Sequence, residues 1–338
     1  MALSYAEAVR TGTMEATRVH HRLQLRDSLE REGGSVDVFR AIHDLGITLL
    51  VRPLNGLLGA YLSEPAPGIL VTTQRRLSIQ RFTAAHELGH FALHHKVSLD
   101  DKSILRRTPN SPEPGPGFQE TEADAFAIHF LMPKWLILSH CERQGWHVDD
   151  LRRPNIVYQL SLRLGASYEA TVRTLLRYSL LPDGLMRELL LAKRRNLKAD
   201  LLGDYQPTDY RGDVWLLSKK DAGTRIEGSR DDKFVLRLAE HSNGGYVWDF
   251  EELQKSGFAI VRDERHASDD FSVGGPVVRR ITGLAEEPEI GQRGIVKIDE
   301  RRPWQPDPAL SSLILQFDFT GPEKGLSRAE RRRILEAA

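Results

Sequence analysis

The sequence predicts an α+β protein of more than one domain, helical in its first half and all-β in its second. Three observations predict it. Apolar residues recur at helical spacing through most of the first two hundred positions. From Gly212 to Phe319 the period changes to short alternating runs separated by polar or glycine-containing turns. The 338 residues are also about 2.3 times a typical domain. At 40% hydrophobic and 28% charged, the chain can bury real cores. Its 47 basic and 47 acidic residues cancel, which excludes a whole-protein field directed at nucleic acid or an acidic membrane and leaves only local patches. The single cysteine, Cys141, excludes an intramolecular disulfide scaffold. Met1 to Leu23 lacks the apolar run of a signal peptide, and no stretch approaches about 18 consecutive apolar residues, so a cytoplasmic protein with no membrane partner is expected.

In chain order, helical periodicity runs from Tyr5 to Glu32 and stops at Gly33-Gly34. A second helix is expected from Val36 to Leu45, closed by Gly46, then short strands at Ile47–Val51 and Gly68–Thr73. A long helix follows from about Ser78 to His95. Residues 109–117 carry four prolines and two glycines, which excludes helix or central strand. Helix restarts near Phe118 and runs to about Leu131, where Pro133 ends or kinks it. Two periodic segments between Asn155 and Leu181 flank Gly165-Ala166-Ser167, with Ser167 as an N-cap; a further helix spans Leu185 to Lys198. The alternating runs, among them Asp213–Leu217, Phe234–Leu238, Tyr246–Trp248, Gly294–Ile298 and Leu313–Phe317, imply a β-sandwich or barrel. An Arg-rich helix closes the chain. The expected division is 1–150, 151–200 (helical, helix-turn-helix-like), 201–211 (linker), 212–320 (sandwich) and 321–338 (basic helix).

The segment Phe82 to His95 contains His86-Glu87-x-x-His90 inside a helical pattern. Four residues advance a helix by about 400°, so the two imidazoles project from one face, one turn apart, and can reach one Zn²⁺. Glu87 stands about 100° round from His86, placed to hold a water and take its proton. A third ligand is needed, and Gln119 to Ala127 offers it. Glu120 and Asp124 form an i, i+4 pair on one face, so Glu120 can bind zinc while Asp124 accepts the outer N–H of a ligand histidine. Glu122 lies about 200° from Glu120, so the two cannot both point at one metal; either could be the third ligand, and Glu120 is favoured over Glu122 because only it has an acidic partner one turn on.

Arg-Phe-Thr-x-Ala-His-Glu-Leu-Gly-His-(x)₃-His at 81–94, Glu-x-Glu-Ala-Asp-x-Phe-Ala at 120–127 and Leu-Met-Pro at 131–133 resemble the ImmA/IrrE family of zinc metallo-endopeptidases. The likeness extends from about Val36 to Leu181. It implies a zincin-like (gluzincin) metallopeptidase domain with a helical extension, with His86, His90 and a glutamate as zinc ligands and Glu87 as catalytic base. The Glu-(x)₃-Asp placement of related zincins supports Glu120. Family members are cytoplasmic and cut a helix-turn-helix repressor, derepressing stress, mobile-element or defence genes.

Other residues draw weaker readings. His94 and His95 suit packing or helix-terminal roles, because a further turn lies about 6 Å along the axis. Cys141 reads as inert packing. His129 could polarise a carbonyl, with no local support. The strand at 68–73 precedes the metal helix, and an edge strand there could hold a substrate backbone. Ser167, Tyr168, Glu169, Thr171 and Arg173 at the start of the second helix offer one cation, so it reads poorly as a DNA reader; Lys193 to Lys198 and the terminal arginines are the better phosphate candidates. In the last third, Asn243–Trp248, Val273–Pro276 and Arg301–Trp304 resemble the three loops of chagasin-type cysteine-protease inhibitors, which implies an immunoglobulin-like sandwich, without the Asn-Pro-Thr-Thr lead-in of the first loop. The rival functional reading is a metal-stabilised sensor that binds a repressor, DNA or a regulatory ligand through this region and does not cut.

Overall fold

The computed structural model describes residues 4–64, 66–95, 98–101, 118–267, 277–285, 293–305, 308–327 and 334. Helix α1 (Tyr5–Arg22) starts on a capping box in which Ser4 and Glu7 each accept the other's backbone N–H. The helix expected through to Glu32 is interrupted where Gln24 turns left-handed at φ 51°; α2 (Leu25–Glu32) then ends at Gly33, φ 65°. Asp37 caps α3 (Val38–Asp44) by accepting from the N–H of Arg40. Strands β1 (Thr48–Arg52), β2 (Leu57–Leu62) and β3 (Gly68–Thr72) follow, then α4 (Leu77–Ala92), β4 (Ser98–Asp101) and α5 (Gln119–Leu131). The proline-rich run at 109–117 lies outside the described residues. Pro133 separates α5 from α6 (Lys134–Gln144), after which α7 (Pro154–Arg163), α8 (Tyr168–Arg177), α9 (Met186–Leu191) and α10 (Arg194–Leu202) complete the helical part.

The strands of this half form one five-stranded sheet in the order β13-β1-β3-β2-β4, where β13 is Gly325–Leu326 from the far end of the chain. β1 and β3 run parallel and every other pair antiparallel. β3, the strand at Gly68–Thr73 considered as a substrate-holding edge, is therefore interior, with both ladders occupied by β1 and β2. A single apolar core collects side chains from Ala16 to Leu197, among them Ile42, Ile69, Leu88, Phe126, Phe130, Leu160 and Val172. Cys141 belongs to it, and burial pushes its thiol up to about 11, which suits inert packing.

The last third is a lobe of two four-stranded sheets. One runs β5 (Val214–Leu217), β7 (Lys233–Glu240), β10 (Val277–Ala285), β9 (Phe258–His266); the other runs β6 (Arg225–Glu227), β12 (Ser311–Asp318), β11 (Arg293–Arg301), β8 (Val247–Asp249). A short α11 (Glu251–Lys255) precedes β9. Phe234, Leu236 and Ile281 from the first sheet share one core with Val296, Ile298, Leu313 and Phe317 from the second, as the alternating runs require. Of the segment expected as a basic terminal helix, 325–326 form β13, and 328–333 and 335–338 lie outside the described residues.

Polar contacts join the lobes. Gln159 of α7 donates to Val214 O and accepts from Leu216 N–H, both at 2.8 Å, so a side chain substitutes for a neighbouring strand along the outer edge of β5. Arg163 pairs with Asp221 at 2.8 Å and donates to Leu216 O, while Gln144 donates to the same carboxylate. Arg81 of α4 pairs with Glu227 of β6.

Candidate metal centre

His86, Glu87 and His90 are fully buried on α4. The packing that brings α5 to them depends on small residues. A Cβ on Gly89 would lie 3.1–3.2 Å from Phe126 and from the Ala123 Cα, so α4 and α5 approach backbone to backbone there. Across α5, Gly12 of α1 lies so close to the Glu122 carbonyl that a methyl group would overlap it. Beneath α4, β2 passes at Gly59, where a Cβ would fall 2.5 Å from Thr83 Cγ2 and 2.6 Å from Glu87 Oε1. Gly59 thus gives the Glu87 carboxylate its space.

In this frame the ligand atoms of His86, His90 and Glu120 all lie within 4.8 Å of one another. The His86 and His90 Nε2 atoms are 3.0 Å apart, and Glu120 oxygens lie 3.3 Å from the first and 3.7 Å from the second. Ligands held tetrahedrally at 2.0–2.1 Å from one ion are separated by about 3.3–3.4 Å, so the set is spaced to hold one metal ion. Its two imidazoles and one carboxylate are also the donor chemistry of open, catalytic zinc centres. The Glu120 side chain is 35% exposed, so the centre opens to the surface at that ligand.

The flanking residues separate by role. Asp124 Oδ1 lies 2.9 Å from His86 Nδ1, the outer nitrogen. Glu122 faces away from the triad and sits 2.9 Å from His95 Nε2. His94 is exposed, at φ 56°. His95 is more than terminal packing, for its Nδ1 lies 2.9 Å from His90 Nδ1. A local signal existed for it: helices that end in a Schellman motif place the second residue beyond the cap against the third from the end. His129 lies outside the centre, bonded to Thr17 and the Tyr178 hydroxyl.

The other motifs find bland explanations. Ser167 caps α8 as expected, but Arg173 is paired with Glu169 at 2.8 Å. Lys198 is buried against Gly212 O and Asp213 and is no phosphate contact. Trp248 fills the sheet core; Trp304 is 71% exposed and packs on Gly245, where Arg302 stacks over Tyr246 at 4.5 Å, so two of the three loop motifs meet. Val273–Pro276 lies outside the described residues.

Paired helical histidines with a carboxylate from the next helix, on a mixed sheet, define a metallopeptidase-type centre. Residues 42–176 match the family model described as the IrrE N-terminal-like domain, peptidase M78. No curated protein matches the chain. Two solved structures resemble its C-terminal region. One is the cysteine protease inhibitor EhICP2 of Entamoeba histolytica, at 22% identity over 31% of this chain and 94% of that one, with a TM-score of 0.28. The other is amebosin in solution, at 18% identity, 31% and 96% coverage, and a TM-score of 0.25.

Proposed function

We propose that the chain is a zinc-dependent, site-specific endopeptidase. The observation that carries the reading is the meeting of His86, His90 and Glu120 at one point, with Glu87 buried on the same helix. His86, His90 and Glu120 would hold the ion, and the Asp124 carboxylate, 2.9 Å from His86 Nδ1, is placed to orient His86. Zinc, when bound, supplies a Lewis acid for the scissile carbonyl and brings the acidity of a water to near neutrality. Glu87 takes the proton of the attacking water and returns it to the departing amine. A structural site would not need Glu87, and structural zinc is usually enclosed by cysteines, which opposes the non-cutting sensor.

The substrate we propose is a helix-turn-helix repressor in the cytoplasm, cut to release stress, mobile-element or defence genes; the support is the likeness to the ImmA/IrrE family. We assign 1–150 to the peptidase, 151–200 to its helical extension, 201–211 to a linker, 212–320 to an immunoglobulin-like regulatory sandwich and 321–338 to the tail. No helix among the described residues is long and apolar enough to cross a membrane. The test compares new protein N-termini in cells expressing wild type or Glu87→Gln, with and without DNA damage. A cut in one DNA-binding repressor made by wild type alone is expected. Glu87→Gln should still bind zinc, and cleavage retained by that variant would sink the assignment of the base.

A further inference from the structure

The two histidines of the triad are braced from behind by different groups. His86 has Asp124. His90 has a second imidazole, and the way α4 ends puts it there. Leu93 caps the helix, His94 takes the left-handed conformation, and two backbone bonds close the turn: His94 N–H to Phe91 O at 3.1 Å and His95 N–H to His90 O at 2.9 Å. These are the two bonds of a Schellman motif, whose geometry sets the side chain of His95 against that of His90. Such a contact is usually apolar. Here it is Nδ1 to Nδ1 at 2.9 Å, and the far side of His95 meets Glu122 at 2.9 Å. The side chains of His95 and Glu122 are only 6% and 13% exposed, so water does not substitute for either partner.

We propose that Glu122 and His95 are positioning residues that act in series on His90. The inference rests on the reading of His86, His90 and Glu120 as metal ligands. The logic is one of donors and acceptors. An ionised carboxylate only accepts, so His95 carries its proton on Nε2, towards Glu122. Its Nδ1 then accepts, and the proton facing it belongs to His90 Nδ1. His90 is left with a lone pair on Nε2, aimed at His86 and Glu120. The Asp124 carboxylate, 2.9 Å from His86 Nδ1, favours a proton on that nitrogen by its charge. Both Nε2 atoms, 3.0 Å apart, therefore present lone pairs to each other, an arrangement stabilised by a cation between them. Without Glu122, His95 is free to reverse its tautomer, donate to His90 Nδ1 and turn a proton on His90 towards the centre.

The experiment measures Zn²⁺ and Co²⁺ dissociation constants of the full chain by competition with a chromophoric chelator, and records the visible absorption of the Co²⁺ form. His95→Phe keeps the ring volume and removes both nitrogens; about a 10- to 100-fold loss of affinity is expected, with an altered Co²⁺ spectrum, while the metal-free chain melts at a lower temperature because Glu122 loses its buried partner. Glu122→Ala should lose comparably, and Glu122→Gln should recover part of the loss, since its amide oxygen still accepts from His95. His94→Asn, at the exposed neighbour in the same turn, should match wild type. Wild-type affinity and spectrum in both His95→Phe and Glu122→Ala would overturn the proposal and leave the triad standing. A wild-type chain that binds neither ion, or binds as well after His86→Ala, would overturn the triad and this inference with it.

Discussion

Gly59 has no side chain, and the Glu87 carboxylate lies where one would begin. An added methyl group would meet Glu87 Oε1 at 2.6 Å and the branched, stiff Thr83 at 2.5 Å. The glutamate end can swing away, but only by leaving its place beside the triad. Gly59→Ala is therefore expected to lower stability by about 1–3 kcal/mol and to depress cleavage far more than zinc affinity. Thermal melting, metal titration and kcat/KM on one preparation check this; equal losses of affinity and turnover would show that the whole centre shifted and not the base alone. Sequence reasoning read Glu87 from its neighbours on α4 but passed over Gly59, because a glycine in an apolar run looks like a weakened strand and not like room for a residue 28 positions on.

Helix α4 is fastened about a turn and a half before His86 by two buried polar residues, each with a partner from the last third of the chain. Gln80 donates to Thr72 O at 3.0 Å and Glu323 O at 3.3 Å and accepts from Glu323 N–H at 2.9 Å. Arg81 pairs with Glu227. Beside them β13 extends the sheet along β1, with Leu50 opposite Leu326. The tail is thus part of the sheet that supports the metal helix. Gln80→Leu keeps the volume and removes three hydrogen bonds in a buried site, so a loss of about 2–4 kcal/mol is expected in denaturant unfolding. A change under about 0.5 kcal/mol would show that the tail does not hold α4.

The two lobes share buried charge as well as backbone. Arg163 and Asp221, 7% and 4% exposed, bridge α7 to the second lobe. Removing one partner strands the other, so Arg163→Met should cost about 3–5 kcal/mol and split one calorimetric transition into two. Retention of a single, unshifted transition would show that the lobes are coupled elsewhere. Acid should act at the same boundary through His140 and inside the first lobe through His20. Burial holds His20 at about 4, and burial with the nearby Arg163 charge holds His140, bonded to Gly34 O, at about 3. Unfolded, both return to about 6.5. Their contribution is complete above that pH and declines as pH falls, because the unfolded chain takes up protons that the folded one refuses, by up to about 1.4 kcal/mol per pH unit for each histidine. Unfolding free energy measured from pH 7.5 to 4.5 should fall accordingly, and His140→Gln should reduce the slope by one proton. Identical slopes in the two proteins would remove His140 from the account.

Relations carried within one helical period were determined by the sequence alone: His86 and His90 on one face, Glu120 and Asp124 one turn apart, Glu122 on the opposite side from Glu120, and Ser167 capping α8. So was the change from helical to alternating pattern near Gly212. The 3.6-residue repeat and the two-residue pleat fix such relations without reference to the rest of the molecule. The tertiary structure decided what depends on where separate elements come to rest. It made β3 an interior strand, placed Gly59 under Glu87, returned β13 to β1 and set Glu122 against His95. These pairings cross up to about 275 positions. They arise from close approach at Gly12, Gly59 and Gly89 and from burial of polar partners, neither of which leaves a periodic trace in the chain.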